Sequence, residues 1–156
     1  MKILIVEDNA TELARAVKIA IEMGIEVVTA TDAHTGSRLA TQTNWNGGEA
    51  TFTPLVDGVI TDIFMPLYTG DEDHGHSDNP CGIMVQAAAQ AGGIPCIFCT
   101  GGYHHGPKFQ WIQNLCTYVQ CGMIDSGRSK EMDAPKKWKD ALEAMKHWIE
   151  RKAKTV

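Results

Sequence analysis

The sequence predicts a doubly wound α/β domain, a five-stranded parallel sheet with helices on both faces. Two observations carry that expectation. Short apolar runs alternate with segments whose apolar residues recur at helical spacing. Acidic or hydroxyl residues stand at the ends of these runs: Glu7-Asp8, Asp62 and Thr100. In a doubly wound sheet the functional site lies just beyond the carboxyl ends of the strands, which is where these side chains would gather.

The elements follow in chain order. Lys2 to Val6 reads as a buried strand. Asn9 is the expected N-cap of the first helix, with Glu12 three residues on in capping-box position. Leu13, Val17, Ala20 and Ile21 repeat at helical spacing, and Gly24 ends the helix. Ile25 to Ala30 is a second strand, and Ala33 to about Gln42 a weaker helix capped by Thr31 or Asp32. Asn44 to Pro54, with Asn-Gly-Gly inside it, reads as a loop. Asp57 to Thr61 is the third strand, and 67–80 a long polar loop. Gly82 to Ala91 is a helix of small residues, Ile94 to Cys99 a fourth strand, Lys108 to Tyr118 a helix, and Gly122 to Asp125 a short fifth strand. A final helix from Ala134 to about Arg151 carries Trp138, Leu142, Met145 and Ile149 on one face and a basic exposed side that includes Lys136. Right-handed crossovers then wind the sheet in both directions.

Bulk properties restrict the function classes. The 156 residues suit one domain, 1–156, and the hydrophobic share of 44% and charged share of 21% are ordinary for a globular chain. The net charge of −5 argues against a nucleic-acid surface. Apolar runs fall short of the roughly 20 residues that span a bilayer, and the N-terminus lacks the pattern of a signal peptide. The cysteines then read as reduced thiols in a cytoplasm. Cys96 and Cys99 have C-x-x-C spacing, but within a strand they face opposite ways, so they are expected to be structural.

Glu7, Asp8 and Asp62 supply the chemistry. If their strands are neighbours, three carboxylates meet at one sheet edge, where they repel one another and favour a hard divalent cation, Mg²⁺. A carboxylate beside Mg²⁺ can also act as a nucleophile toward a phosphoryl group.

The segments Ile3-Leu-Ile-Val-Glu-Asp-Asn9, Thr61-Asp-Ile-Phe-Met-Pro66 and Ile94-Pro-Cys-Ile-Phe-Cys-Thr100, with the β/α order of nearly the whole chain, resemble the receiver domains of two-component response regulators. The resemblance implies a flavodoxin-like three-layer sandwich. It implies that Asp62 accepts a phosphoryl group from a sensor histidine kinase or phosphotransfer protein. Glu7, Asp8, Asp62 and the backbone carbonyl of Phe64 would bind Mg²⁺, Thr100 would donate its hydroxyl to a phosphoryl oxygen, and Lys130 would fill the role of the family's lysine. Such a domain is not an enzyme beyond its own phosphorylation and dephosphorylation. It signals through contact with a downstream protein, and with no space for an output domain after Val156 it would be a stand-alone receiver.

The chain departs from the family pattern in two places. No proline follows Lys130, where the family has Lys-Pro directly after strand five, and Ser126-Gly127 stand near its usual aromatic; the lysine's role is otherwise lost or passed to Arg128. The 67–80 loop is also long, and its Asp71, Asp73, His74, His76 and Asp78 match no closed zinc pattern, so it reads as a solvated loop beside the site. The rival reading is a pseudo-receiver, the same fold acting as a constitutive protein-binding module without phosphorylation. A Mg²⁺-dependent phosphatase is disfavoured, because a second acid would be needed two residues after Asp62, where Phe64 stands.

Overall fold

Each apolar run expected to be a strand is one. The computed structural model describes residues 1–70, 79–101, 110–119, 121–126 and 135–154. Its elements are β1 (Lys2–Val6), α1 (Ala10–Glu22), β2 (Glu26–Ala30), α2 (Ala33–Ala40), β3 (Thr41–Asn46), β4 (Glu49–Pro54), β5 (Gly58–Thr61), α3 (Gly82–Ala91), β6 (Cys96–Thr100), α4 (Gln110–Tyr118), β7 (Gly122–Asp125) and α5 (Trp138–Ala153). Five of the strands form one parallel sheet in the order β2-β1-β5-β6-β7. Counted among themselves these strands run 2-1-3-4-5, so the direction of winding reverses between β1 and β5, the usual place for a site.

Strand alternation separates two cores. Leu4, Val6, Val59, Cys96 and Phe98 face one side, where Val85 and Ala89 of α3 and Ile112 of α4 cover them. Ile3, Ile5, Ile60, Ile97 and Cys99 face the other, under Ala16 and Ala20 of α1 and Trp138, Leu142 and Met145 of α5. Cys96 and Cys99 thus lie on opposite faces, both buried, and all the cysteines are free thiols. Burial pushes the Cys99 thiol up to about 12, away from redox reactivity. No helix among the described residues is long and apolar enough to cross a membrane.

Local signals placed most helix ends. Asn9 caps α1, its side-chain oxygen accepting from the N–H groups of Thr11 (3.0 Å) and Glu12 (3.1 Å). The inward face of α1 is Leu13, Ala16 and Ala20; Ile21, expected inside, is 67% exposed. Asp32 caps α2, accepting from the Thr35 N–H at 2.8 Å and from the Thr69 hydroxyl at 2.5 Å. Burial alone would raise the Asp32 pKa, but these hydrogen bonds and nearby His34 hold it below its ordinary value. Asp32→Ala is therefore expected to cost about 1–2 kcal/mol at neutral pH. A lowered carboxylate stabilises the fold above its unfolded pKa, so the deficit should shrink as pH falls through the acid range, read by urea melts at neutral and acid pH.

Two expectations need correction. Thr41 to Pro54 is not a helix end followed by a loop but an antiparallel hairpin, β3 and β4, paired from Thr41↔Pro54 to Asn46↔Glu49. Its two-residue turn has positive φ at Gly47 (60°) and Gly48 (96°), the combination of a type I′ turn. The last helix starts at Trp138, so Lys136 precedes it instead of lying on its exposed face. The Asp/His-rich stretch 71–78, with Asp71, Asp73, His74, His76 and Asp78, lies outside the described residues.

Candidate functional site

The parallel register brings the strand-end acids together. Val6 pairs with Thr61 across β1 and β5, so the next residue of each strand, Glu7 and Asp62, leaves the sheet at the same level. Main-chain bonds continue the ladder through both: the Glu7 N–H donates to the Ala30 carbonyl and the Asp62 N–H to the Val6 carbonyl, each at 3.0 Å. Glu7 is 0% exposed, Asp62 is 8% exposed, and Asp8 opens to solvent. Oxygens of Glu7, Asp8 and Asp62 lie within 4.8 Å of one another. An all-oxygen, all-anionic donor set of this spread fits a hard cation such as Mg²⁺ better than a transition metal.

Lys136 completes the cluster. Its ammonium donates to Glu7 Oε2 and, at 2.6 Å, to Asp62 Oδ2. The other carboxylate oxygens take backbone N–H groups, Glu7 Oε1 from Asn9 at 3.1 Å and Asp62 Oδ1 from Ile63 at 2.7 Å. Burial pushes the Glu7 carboxyl up to about 7; Lys136 opposes this and Asp62 adds to it. Asp8 is also raised, first by partial burial and then by Asp62. For Lys136, burial would lower the pKa, but the carboxylates of Asp62 and Glu7 outweigh it and the ammonium is held above its ordinary value.

Thr100, also buried, closes β6 on the neighbouring strand, and the pairing of Thr61 with Phe98 carries it toward the same edge. Ser126, beyond β7, donates to the Thr100 carbonyl through its N–H (3.2 Å) and its hydroxyl (3.1 Å). Phe64 follows Asp62 by two residues, and its half-buried side chain packs on the first core. Lys130 and Arg128 lie outside the described residues.

Two contributors were not foreseen. Lys136, expected on an exposed helix face, is the lysine that meets the acids among the described residues, and the sequence around it carries no signal that separates it from Lys137. Gly82, at the start of α3, donates its N–H to the Ile63 carbonyl at 3.0 Å, and a Cβ there would stand 1.9 Å from the Asp62 carbonyl oxygen. Glycine at 82 lets the helix press against the backbone that carries Asp62.

No protein-family model and no curated protein sequence matches the chain. Solved structures do. A response regulator receiver domain protein (CheY-like) from Methanospirillum hungatei JF-1 is similar over 99% of this chain and 98% of its own, with TM-score 0.64 and 18% identity. A response regulator receiver domain protein from Clostridium thermocellum is similar over the same shares, with TM-score 0.63 and 22% identity. The Francisella response regulator 1452 receiver domain covers 97% of this chain with 98% of its own, with TM-score 0.61 and 16% identity. A parallel sheet in doubly wound order, with its acids gathered at the β1/β5 edge, therefore gives this chain the response-regulator receiver fold.

Proposed function

We propose that the chain is a phosphoacceptor receiver. A carboxylate oxygen of Asp62 attacks the phosphorus of a phosphohistidine on a sensor histidine kinase or phosphotransfer protein. The P–N bond breaks, its electron pair leaves with the imidazole, and an aspartyl phosphate forms. Glu7, Asp8 and Asp62, with the Phe64 carbonyl, would hold Mg²⁺, which when bound neutralises charge on the phosphoryl oxygens. Lys136 brings an ammonium to the reacting oxygen of Asp62, and Thr100 offers a hydroxyl from the adjoining strand. The changed contacts bias a surface that a downstream protein reads. The cytoplasm, where thiols stay reduced, is the setting that goes with this reading.

The observation that carries the proposal is the Lys136 ammonium 2.6 Å from Asp62 Oδ2, inside the acidic cluster at the winding-reversal edge. The same contact favours the alternative. Lys136 already compensates Glu7 and Asp62 without a cation, so a pseudo-receiver could keep these acids for structure alone. Amide NMR with Mg²⁺, before and after adding beryllofluoride as an aspartyl-phosphate mimic, separates the two. Shifts centred on Asp62 and Thr100 that spread into α4 are expected. Mg²⁺ shifts at Glu7 and Asp8 with no response to beryllofluoride would establish the pseudo-receiver.

A further inference from the structure

We propose that Glu12 and Trp138 form a positioning clamp for Lys136, so that the first turn of α1 sets where the ammonium stands. The inference rests on the receiver reading only for its functional consequence.

The lysine reaches the site from the approach to α5, not from the end of a strand. Strand ends are held by the ladder, but this approach is not regular: Lys137, at the helix start, has ψ 59° and gives no side-chain cap to α5. Another contact has to fix the segment. Trp138, the next residue, is 0% exposed and belongs to the core beneath α1 and α5 that also holds Ile5, Ala16 and Cys99. A buried indole N–H needs an acceptor. It donates to Glu12 Oε2 at 2.9 Å, bridging α5 to α1. The bond holds the depth and rotation of the ring. Lys136 is two residues away, so its Cα can lie no more than about 7 Å from that of Trp138.

The Lys136 ammonium lies 5.8 Å from the centroid of the same indole ring, within cation–π range. Ring and lysine are thus tied both through the chain and through space.

Both partners of the ion pair are referenced to one turn of helix. Glu12 stands three residues into α1, where a capping-box carboxylate would turn back to the Asn9 N–H. Here that N–H donates instead to Glu7 Oε1 at 3.1 Å, and the Glu12 carboxylate is left to take the indole. The first turn of α1 therefore holds Glu7 through Asn9 and Lys136 through Glu12 and Trp138. Its other partner, Arg15 at 2.7 Å, lies on the same helix and does not bear on Lys136.

The test uses the whole chain with ¹⁵N-labelled lysine. A buried, hydrogen-bonded ammonium exchanges slowly enough to give an NH₃⁺ correlation, which solvated lysines do not; Lys136→Met assigns it. Glu12→Ala and Trp138→Phe are expected to lose that signal and to weaken beryllofluoride binding about fivefold, the scale of one lost hydrogen bond. Mg²⁺ affinity should not fall, because the acids are untouched and the ammonium that competes for them is released. Glu12→Gln retains an acceptor oxygen and should restore both signals, and Arg15→Ala should leave both unchanged. Should Trp138→Phe fail to fold, Glu12→Ala decides alone, since it removes a partly exposed side chain and leaves the apolar core packing in place. A wild-type Lys136 signal in folded Glu12→Ala overturns the clamp. A wild type that ignores beryllofluoride overturns the receiver reading instead, and the ammonium signal still decides the clamp.

Discussion

Asp62→Asn is expected to abolish phosphoryl incorporation from acetyl phosphate and Mg²⁺, lowering its rate by more than about a thousandfold. An amide has nearly the shape of the carboxylate but is a far weaker nucleophile. It also removes one of the three charges that make the cluster attractive to a cation. The fold should survive, because the amide oxygen can keep the bond from the Ile63 N–H and Lys136 keeps Glu7. Intact mass after incubation with the phosphodonor reads the outcome directly. Equal labelling of wild type and variant would mean that phosphate goes elsewhere, and the assignment of Asp62 would fall.

Lys136→Met should be the most destabilising change at the site. Removing one partner of a buried pair leaves the other charge uncompensated, at a cost of about 3 kcal/mol without divalent cations. Two carboxylates face this ammonium, and both are largely shielded from water. The cost should depend on pH through Glu7, whose carboxyl is raised from 4.5 to about 7, chiefly by burial. A raised carboxyl stabilises the folded state fully below its unfolded pKa, and that contribution is lost as pH rises through about 7. Without Lys136, which pulls Glu7 downward, the loss is steeper. The Met variant should therefore approach wild-type stability near pH 5 and fall furthest behind near about pH 8. Mg²⁺ should recover part of the difference by supplying the missing charge. Urea melts at the two pH values, with and without Mg²⁺, measure this; a deficit independent of pH and of Mg²⁺ would exclude Lys136 as the counter-charge. Lys130→Met, made alongside, compares the two lysines directly.

The contrast between these lysines shows what could be read in advance. Apolar runs and their spacing were enough for the sheet, because a strand buried on both faces must be apolar along its length. The acids were legible for a related reason. Carboxylates are costly inside such a sheet and fall at strand ends, and parallel strands put those ends on one edge. Asn9 and Asp32 were readable because an N-cap acts on N–H groups within three residues.

The misses share the opposite property. Lys136 meets Glu7 across 129 residues of sequence, and nothing local distinguishes it from the neighbouring Lys137. Gly82 matters only because α3 lands on the Asp62 carbonyl. The β3–β4 hairpin packs into neither core for most of its length and leaves Trp45 71% exposed, so its alternation never reads as a buried strand, although Asn46-Gly47-Gly48 marks its turn. Pattern within a few residues specified the strands, the caps and the acid edge, because those depend on burial and on short-range hydrogen bonds. That Lys136 faces the acids depends on the tertiary structure, since a charge pair forms only where independently folded elements bring its partners within about 3 Å.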